Sequence, residues 1–262
     1  MLKLAVNGWS YEHKFMNDRW TNEAFMREVA ALPVDGMELN GRYIHDMASG
    51  NLISLRRLAL DLNVPIASST VFNDFGKPDL ELERANVRAA IDACNLLGTS
   101  RLRVFAGWPK EDRERQWDGM IASLRESADY AAERGVLLML ENHNHGGFVR
   151  TGDDALRVLD GVASDWLKLL VDPGNFIDGL RSVDLVKEHA AWLHLKLWRL
   201  GEDGREPDVD YSRVMDMLME AGFDGYCSIE YEPKDRSHEI EDVRRAVGYF
   251  RRLIDDKNRT VV

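Results

Sequence analysis

Eight short runs of β-favouring residues alternate along the chain with eight longer runs of helical period, which restricts the fold to one built of βα units. The expected strands are Lys3–Asn7, Gly36–Asn40, Pro65–Thr70, Arg101–Ala106, Val136–Glu141, Leu167–Asp172, Trp192–Lys196 and Tyr226–Glu230. Their apolar character suits a parallel sheet covered on both faces. Between them, Thr21–Leu32 opens on a capping threonine and carries Phe25, Met26, Val29 and Leu32 on one face of a helix. Comparable patterns span Asn51–Leu62, Leu80–Leu97, Arg113–Arg134, Gly152–Leu159, Ser182–His189, Tyr211–Ala221 and His238–Asp255. Gly98, Gly135 and Gly222 follow helical runs where a left-handed C-terminal cap favours glycine.

Eight parallel strands can close into a (β/α)8 barrel or open into a doubly wound sheet. The first strand lacks the Gly-x-Gly-x-x-Gly turn of the dinucleotide-binding open sheets, and 262 residues is the usual length of one α/β barrel, so the barrel is expected. With no linker or low-complexity tract, residues 1–262 read as a single domain. A composition 45% hydrophobic and 30% charged is that of a globular chain. The net charge of −11, without a Lys/Arg stripe, argues against nucleic acid or anionic lipid as partner. No apolar run approaches the roughly 18 residues of a membrane span. Met1 leads directly into the alternating Leu2-Lys3-Leu4-Ala5-Val6 with no leader pattern, and a cytoplasmic location is expected. Cys94 and Cys227 form no metal-binding pair and read as small buried apolar residues.

Barrel enzymes draw their chemistry from the C-terminal ends of the strands, and four strands end on metal-ligating side chains. These are Glu141 after Leu137-Leu138-Met139-Leu140, Asp172 after Leu169-Leu170-Val171, His194 within Trp192–Lys196, and Glu230 after Cys227-Ser228-Ile229. Three carboxylates and an imidazole at one mouth would repel unless a divalent cation neutralised them. An oxygen-rich set with one nitrogen and no thiolate suits Mn²⁺, Mg²⁺ or Co²⁺, with Zn²⁺ also compatible. The competing reading has the four residues capping strands or pairing with Lys196 and Arg103.

Glu-Asn-His at 141–143, Asp-Pro-Gly-Asn at 172–175, His-Leu-Lys at 194–196 and Ile-Glu at 229–230 resemble the xylose-isomerase-like barrel superfamily, in particular its sugar phosphate isomerase/epimerase branch. The resemblance implies Glu141, Asp172, His194 and Glu230 as ligands of one divalent metal and a carbohydrate as substrate. Ketose 3-epimerase and hydroxypyruvate isomerase-like members carry a substrate-contacting histidine three residues after the metal-binding Asp. Asn175 stands there instead, an amide able to bind a hydroxyl but not to shuttle protons. The superfamily's endonuclease branch needs additional histidines and a DNA substrate, neither of which fits this acidic chain.

Around the four candidate ligands, His143 shares the inward face of Glu141, and Lys196 that of His194. His143 could serve as acid or base, and Lys196 could stabilise an enolate oxygen or simply pair with Glu141 or Glu230. Asn175, Arg103, Trp108, Trp198 and Glu38 are expected at the substrate, although Glu38 and Arg103 could each instead belong to an internal ion pair, the reading slightly favoured for both. Trp9 and Phe72 could add to an aromatic wall, while His13 and His145 are candidate rim residues. These residues suit isomerisation or epimerisation of an unphosphorylated sugar or sugar acid through an enediolate, with Glu141 and Glu230 as base and acid. A lyase sharing the same first step, either a dehydratase or a 3-keto-sugar deglycosidase, is the enzymatic alternative; a ligand-binding accessory subunit is the non-enzymatic one. A homo-oligomer is compatible with either.

Overall fold

The computed structural model describes residues 1–143 and 145–260. Its strands are β1 Lys3–Asn7, β2 Gly36–Asn40, β3 Ile66–Thr70, β4 Arg101–Phe105, β5 Leu137–Glu141, β6 Leu167–Val171, β7 Ala190–Leu197 and β8 Tyr226–Tyr231. Each pairs in parallel with the next, and β8 returns to β1, closing the expected barrel. The outer ring comprises α1 Glu12–Met16, α2 Asn22–Ala30, α3 Ser49–Leu62, α4 Leu80–Leu97, α5 Arg113–Glu133, α6 Gly152–Val162, α7 Leu180–Val186, α8 Tyr211–Glu220 and α9 Glu239–Arg259. None of the described helices is long and apolar enough to cross a membrane.

Alternation along each strand separates two cores. Leu193, Leu195 and Leu197 of β7, like Leu138 and Leu140 of β5, belong to the large apolar layer shared with the helices. Their neighbours Trp192 and Met139 point the other way, into a separate cluster with Ala5, Ala67, Leu170 and Tyr226 that fills the barrel's N-terminal half. The rings of Trp192 and Tyr226 stack at 5.1 Å. Gly36 makes room for Ala67 and the Tyr226 ring, because a Cβ there would lie 2.9 Å from both Ala67 Cβ and Tyr226 Cε1.

Side chains satisfy the exposed amides of several helix starts, as Asp79, Asp112 and Asp210 each accept from the backbone N–H three residues on. Gly98, Gly135 and Gly222 have φ of +77°, +65° and +89°, the left-handed conformation expected of them. α3 and α7 begin two residues before their expected starts, and two helices outrun their expected C-terminal ends. α6 continues past Leu159 to Val162 and stops at a left-handed Ala163. α9 continues past Asp255 to Arg259, where the Asn258 amide exchanges hydrogen bonds with the backbone N–H and C=O of Leu2, tying the last helix to the first strand. The sequence reading lacked α1 and the 3₁₀ turns Gly8–Tyr11 and Gly41–Tyr43. α1 owes its start to a distant residue: the Glu239 carboxylate accepts from the amides of His13 and Lys14. Both cysteines are buried as expected.

Candidate metal centre and cleft

At the C-terminal mouth, the strand ends carry Glu141, Asp172, His194 and Glu230 into one buried group, each offering an atom within 4.8 Å of the others. His194 Nδ1 lies 3.5 Å from Glu141 Oε1 and 3.5 Å from Glu230 Oε2. Glu141 Oε2, Glu230 Oε2 and His194 Nδ1 are buried without a hydrogen-bond partner. Arg103 Nε approaches Glu141 Oε2 to 3.0 Å and Lys196 Nζ approaches Glu230 Oε2 to 2.6 Å, close enough for ion pairs but out of line for hydrogen bonds. Buried polar atoms normally find partners, so donor atoms left over at one point are what a cation site offers. The group could therefore hold one divalent metal.

A supporting layer fixes these donors. Behind His194, Nε2 is 3.1 Å from Glu38 Oε2, which also accepts from Ser228 Oγ at 2.8 Å. A carboxylate only accepts, so Nε2 carries the hydrogen and Nδ1 is aimed at the cluster. The Asn142 amide exchanges hydrogen bonds with the backbone N–H and C=O of Asp172. The side chain of Asp172 accepts from Gly174 N and from Asn175 Nδ2, each at 2.9 Å. Arg103 Nη1 donates to the Val71 carbonyl at 3.0 Å, and Tyr211 donates its hydroxyl to the Lys196 carbonyl at 2.8 Å.

Charges divide unevenly within the group. Burial alone would raise the pKa of Glu230, but Lys196 and His194 outweigh it and hold this carboxyl well below its usual range. Glu141 is lowered in the same way, with Arg103 the main force against desolvation. Asp172 is pushed up to about 7 by burial and by the neighbouring Glu230 and Glu141, which together outweigh Lys196. The Glu230 and Glu38 charges overcome burial to keep the His194 imidazolium favoured. A metal would compete with that proton for Nδ1. His143 is pushed down to about 4 by burial, reinforced by Lys196 and only partly opposed by Glu141, and its imidazole is neutral near pH 7.

Above the cluster opens a cleft whose lining includes Glu141, Glu230, Lys196, His143 and Arg103. Trp9 and Phe72 also line it, as expected of aromatic wall residues. Trp108 stacks on Phe72 at 5.8 Å and meets His143 at 5.2 Å, while Trp198 lies 4.9 Å from Lys196 Nζ. His145 continues this aromatic arc between His143, at 4.8 Å, and Trp198, at 6.3 Å. Two residues expected at substrate sit elsewhere. Glu38 is fully buried behind His194, and Asn175 is fully buried beside Asp172, each drawn inward by the hydrogen bond it makes there. His13 belongs to α1, and a separate surface groove with Arg236 and Asp235 lies beside it. Sequence reasoning missed Asn40, Arg42, Phe105 and Glu232, all at the cleft surface. Period-two spacing from Glu38, Arg103 and Glu230 was the available signal for Asn40, Phe105 and Glu232.

A Drosophila melanogaster protein named "Putative hydroxypyruvate isomerase" is 27% identical over 198 residues, spanning 71% of this chain and 74% of that one. Among solved structures, a D-tagatose 3-epimerase-like protein superposes with a TM-score of 0.80 at 17% identity, over 99% of this chain and all of the other. D-psicose 3-epimerase of Clostridium cellulolyticum H10, solved with D-tagatose, gives a TM-score of 0.79 at 15% identity, over 96% of this chain and 99% of the other. At such identities the superpositions establish a shared fold. The model of the xylose isomerase-like TIM barrel matches residues 26–253, and the chain belongs to that family.

Proposed function

We propose that this chain is a divalent-metal-dependent isomerase or epimerase of a small unphosphorylated sugar or sugar acid. The observation that carries the reading is the set of three buried donor atoms without a hydrogen-bond partner, on Glu141, His194 and Glu230, at the base of a cleft walled by aromatic rings. The names of the fruit-fly relative and of the solved epimerases support the same reaction class. Glu141, Asp172, His194 and Glu230 would hold the metal, with Mn²⁺, Mg²⁺ or Co²⁺ favoured over Zn²⁺ by the oxygen-rich set. When bound, such an ion supplies Lewis-acid polarisation of a substrate carbonyl.

The protein's own groups do the rest. Glu141 and Glu230 reach the cleft surface whereas Asp172 does not, which supports the two glutamates as proton movers and Asp172 as a ligand alone. One glutamate takes the proton from the carbon beside the carbonyl. The other is ionised at rest and must take up a proton before it acts. It then delivers that proton to the opposite face, giving epimerisation, or to the neighbouring carbon, giving isomerisation once the adjacent hydroxyl proton passes to the former carbonyl oxygen. Lys196 donates to the oxygen on which charge develops, and Arg103 holds Glu141 in place. His143, neutral and set against Phe105 and Trp108, serves best as a hydrogen-bonding wall residue. Substrate hydroxyls would meet Arg103 and Lys196, and the C–H face of the sugar would meet Phe72 and the rings behind it.

The test is incubation of Mn²⁺-loaded protein with a panel of sugars and keto-sugars in D₂O, followed by NMR. Deuterium entering a carbon next to a carbonyl, with a product of unchanged composition, is the expected result. Release of water or an aglycone would assign the chain to the lyase alternative. Absence of exchange and turnover across the panel would contradict catalysis on this substrate class.

A further inference from the structure

Lys196 occupies an awkward place for a residue beside a metal site. Its Nζ is 2.6 Å from Glu230 Oε2 and 3.7 Å from Asp172 Oδ2, so an ammonium already neutralises two of the carboxylates a cation would need. The same Nζ is also 2.6 Å from Glu232 Oε2, a carboxylate outside the candidate ligand set. Glu232 follows Glu230 by two residues and faces the cleft on the same side of the chain. Its other oxygen, Oε1, lies 3.7 Å from Arg236 Nη2. Arg236 in turn donates to the Trp9 carbonyl at 2.9 Å and pairs with Glu12 at 3.2 Å, which anchors the carboxylate from the rim.

The stem of Lys196 is guided as well. Gly174 leaves it room, since a Cβ there would come within 3.0 Å of Lys196 Cγ, and the Trp198 ring lies 4.9 Å from Nζ. Two anchors, Glu230 on the metal side and Glu232 on the rim side, thus share one ammonium.

We propose that Glu232 is the positioning residue of Lys196, drawing the ammonium toward the cleft and returning to the cluster the negative charge that Lys196 would otherwise cancel. This rests on the reading of Glu141, Asp172, His194 and Glu230 as a metal site. Without the Glu232 charge, the counter-ions left to Lys196 at contact distance are Glu230 and Asp172, and the ammonium competes with the metal for them. With it, one lysine can face substrate while the ligand set keeps its charge for a dication.

A double-mutant cycle read by calorimetric Mn²⁺ binding at a single pH tests this without reference to turnover. Glu232→Gln should weaken Mn²⁺ binding by on the order of 10–100-fold, the usual effect of removing a supporting partner. Lys196→Met should bind Mn²⁺ as well as the parent or better. Adding Glu232→Gln to Lys196→Met should then change affinity by less than about twofold, because the competitor is gone. Unfolding midpoints of all three variants establish that folded protein is being compared. Unchanged affinity in Glu232→Gln, or equal weakening in both backgrounds, would overturn the positioning role while leaving the metal site intact. Absence of Mn²⁺ binding by the parent protein would overturn the metal-site reading and this role with it.

Discussion

In the N-terminal half of the barrel the inward side chains are Ala5, Ala67, Met139, Leu170, Trp192 and Tyr226; two residues beyond Met139, Leu170 and Trp192 come Glu141, Asp172 and His194, and four beyond Tyr226 comes Glu230. Both regions are buried and enclosed by the same hydrogen-bonded strands. Below, stability comes from close apolar packing, in which each atom removed leaves a void. Above, charges removed from water are held by partners such as Glu38, Arg103 and Lys196, an arrangement costly to stability in the absence of a ligand. The contrast assigns rigidity to the floor and chemistry to the mouth. β7 carries the change in three inward positions, Trp192, His194 and Lys196.

The largest expected effect is on turnover at the mouth. Glu141→Gln and Glu230→Gln preserve shape and one oxygen donor but remove the titratable oxygen, and each should lose on the order of 10²–10⁴-fold in kcat while the protein stays folded. In D₂O the two should differ. The variant lacking the base stops C–H exchange, whereas the one lacking the acid still washes deuterium into substrate. Near-normal turnover in both would make the carboxylates ligands only and direct attention to Lys196 or His143.

A smaller effect, on stability, is expected at the floor. Trp192→Ala should destabilise the fold by about 3–5 kcal/mol in chemical denaturation, with Mn²⁺ affinity nearly unchanged in the folded fraction. Trp192→Phe should cost much less, because it keeps a ring against Tyr226 and removes an indole N–H that has no acceptor. If Trp192→Ala abolished metal binding while leaving stability intact, the separation of floor from mouth would be wrong.

The fold was legible because most strands are apolar over most of their length, β3 with its Ser68-Ser69-Thr70 being the exception. Charges such as Lys3, Arg101 and Lys168 sit at N-terminal ends, whereas the acids at the ends of β5 and β8 and just after β6 gather at the C-terminal mouth. β1 and β2 match their sequence boundaries, and the other strands differ by a residue or two at an end. The candidate ligands could be read for the same reason: they terminate apolar runs. What escaped depends on distant partners. The Glu38–His194 contact joins residues 156 apart in sequence, and α1 begins where Glu239, more than 200 residues later, satisfies its amides. Strand periodicity gave Glu38 an inward direction but not its depth, which left it as readily assigned to substrate as to the back of an imidazole. Asn175 escaped similarly, since its hydrogen bond to Asp172 depends on the turn after β6.

Binding of Mn²⁺ to purified, chelator-stripped protein, followed by titration calorimetry in the parent and in Glu141→Ala, Asp172→Ala and His194→Ala, tests the metal centre most directly. The parent should take up about one ion per chain with a release of protons as His194 yields Nδ1 to the metal. Each substitution should weaken binding strongly while the barrel stays folded. Affinity unchanged in all three variants, or no binding by the parent, would contradict the assignment of Glu141, Asp172, His194 and Glu230 as a metal site.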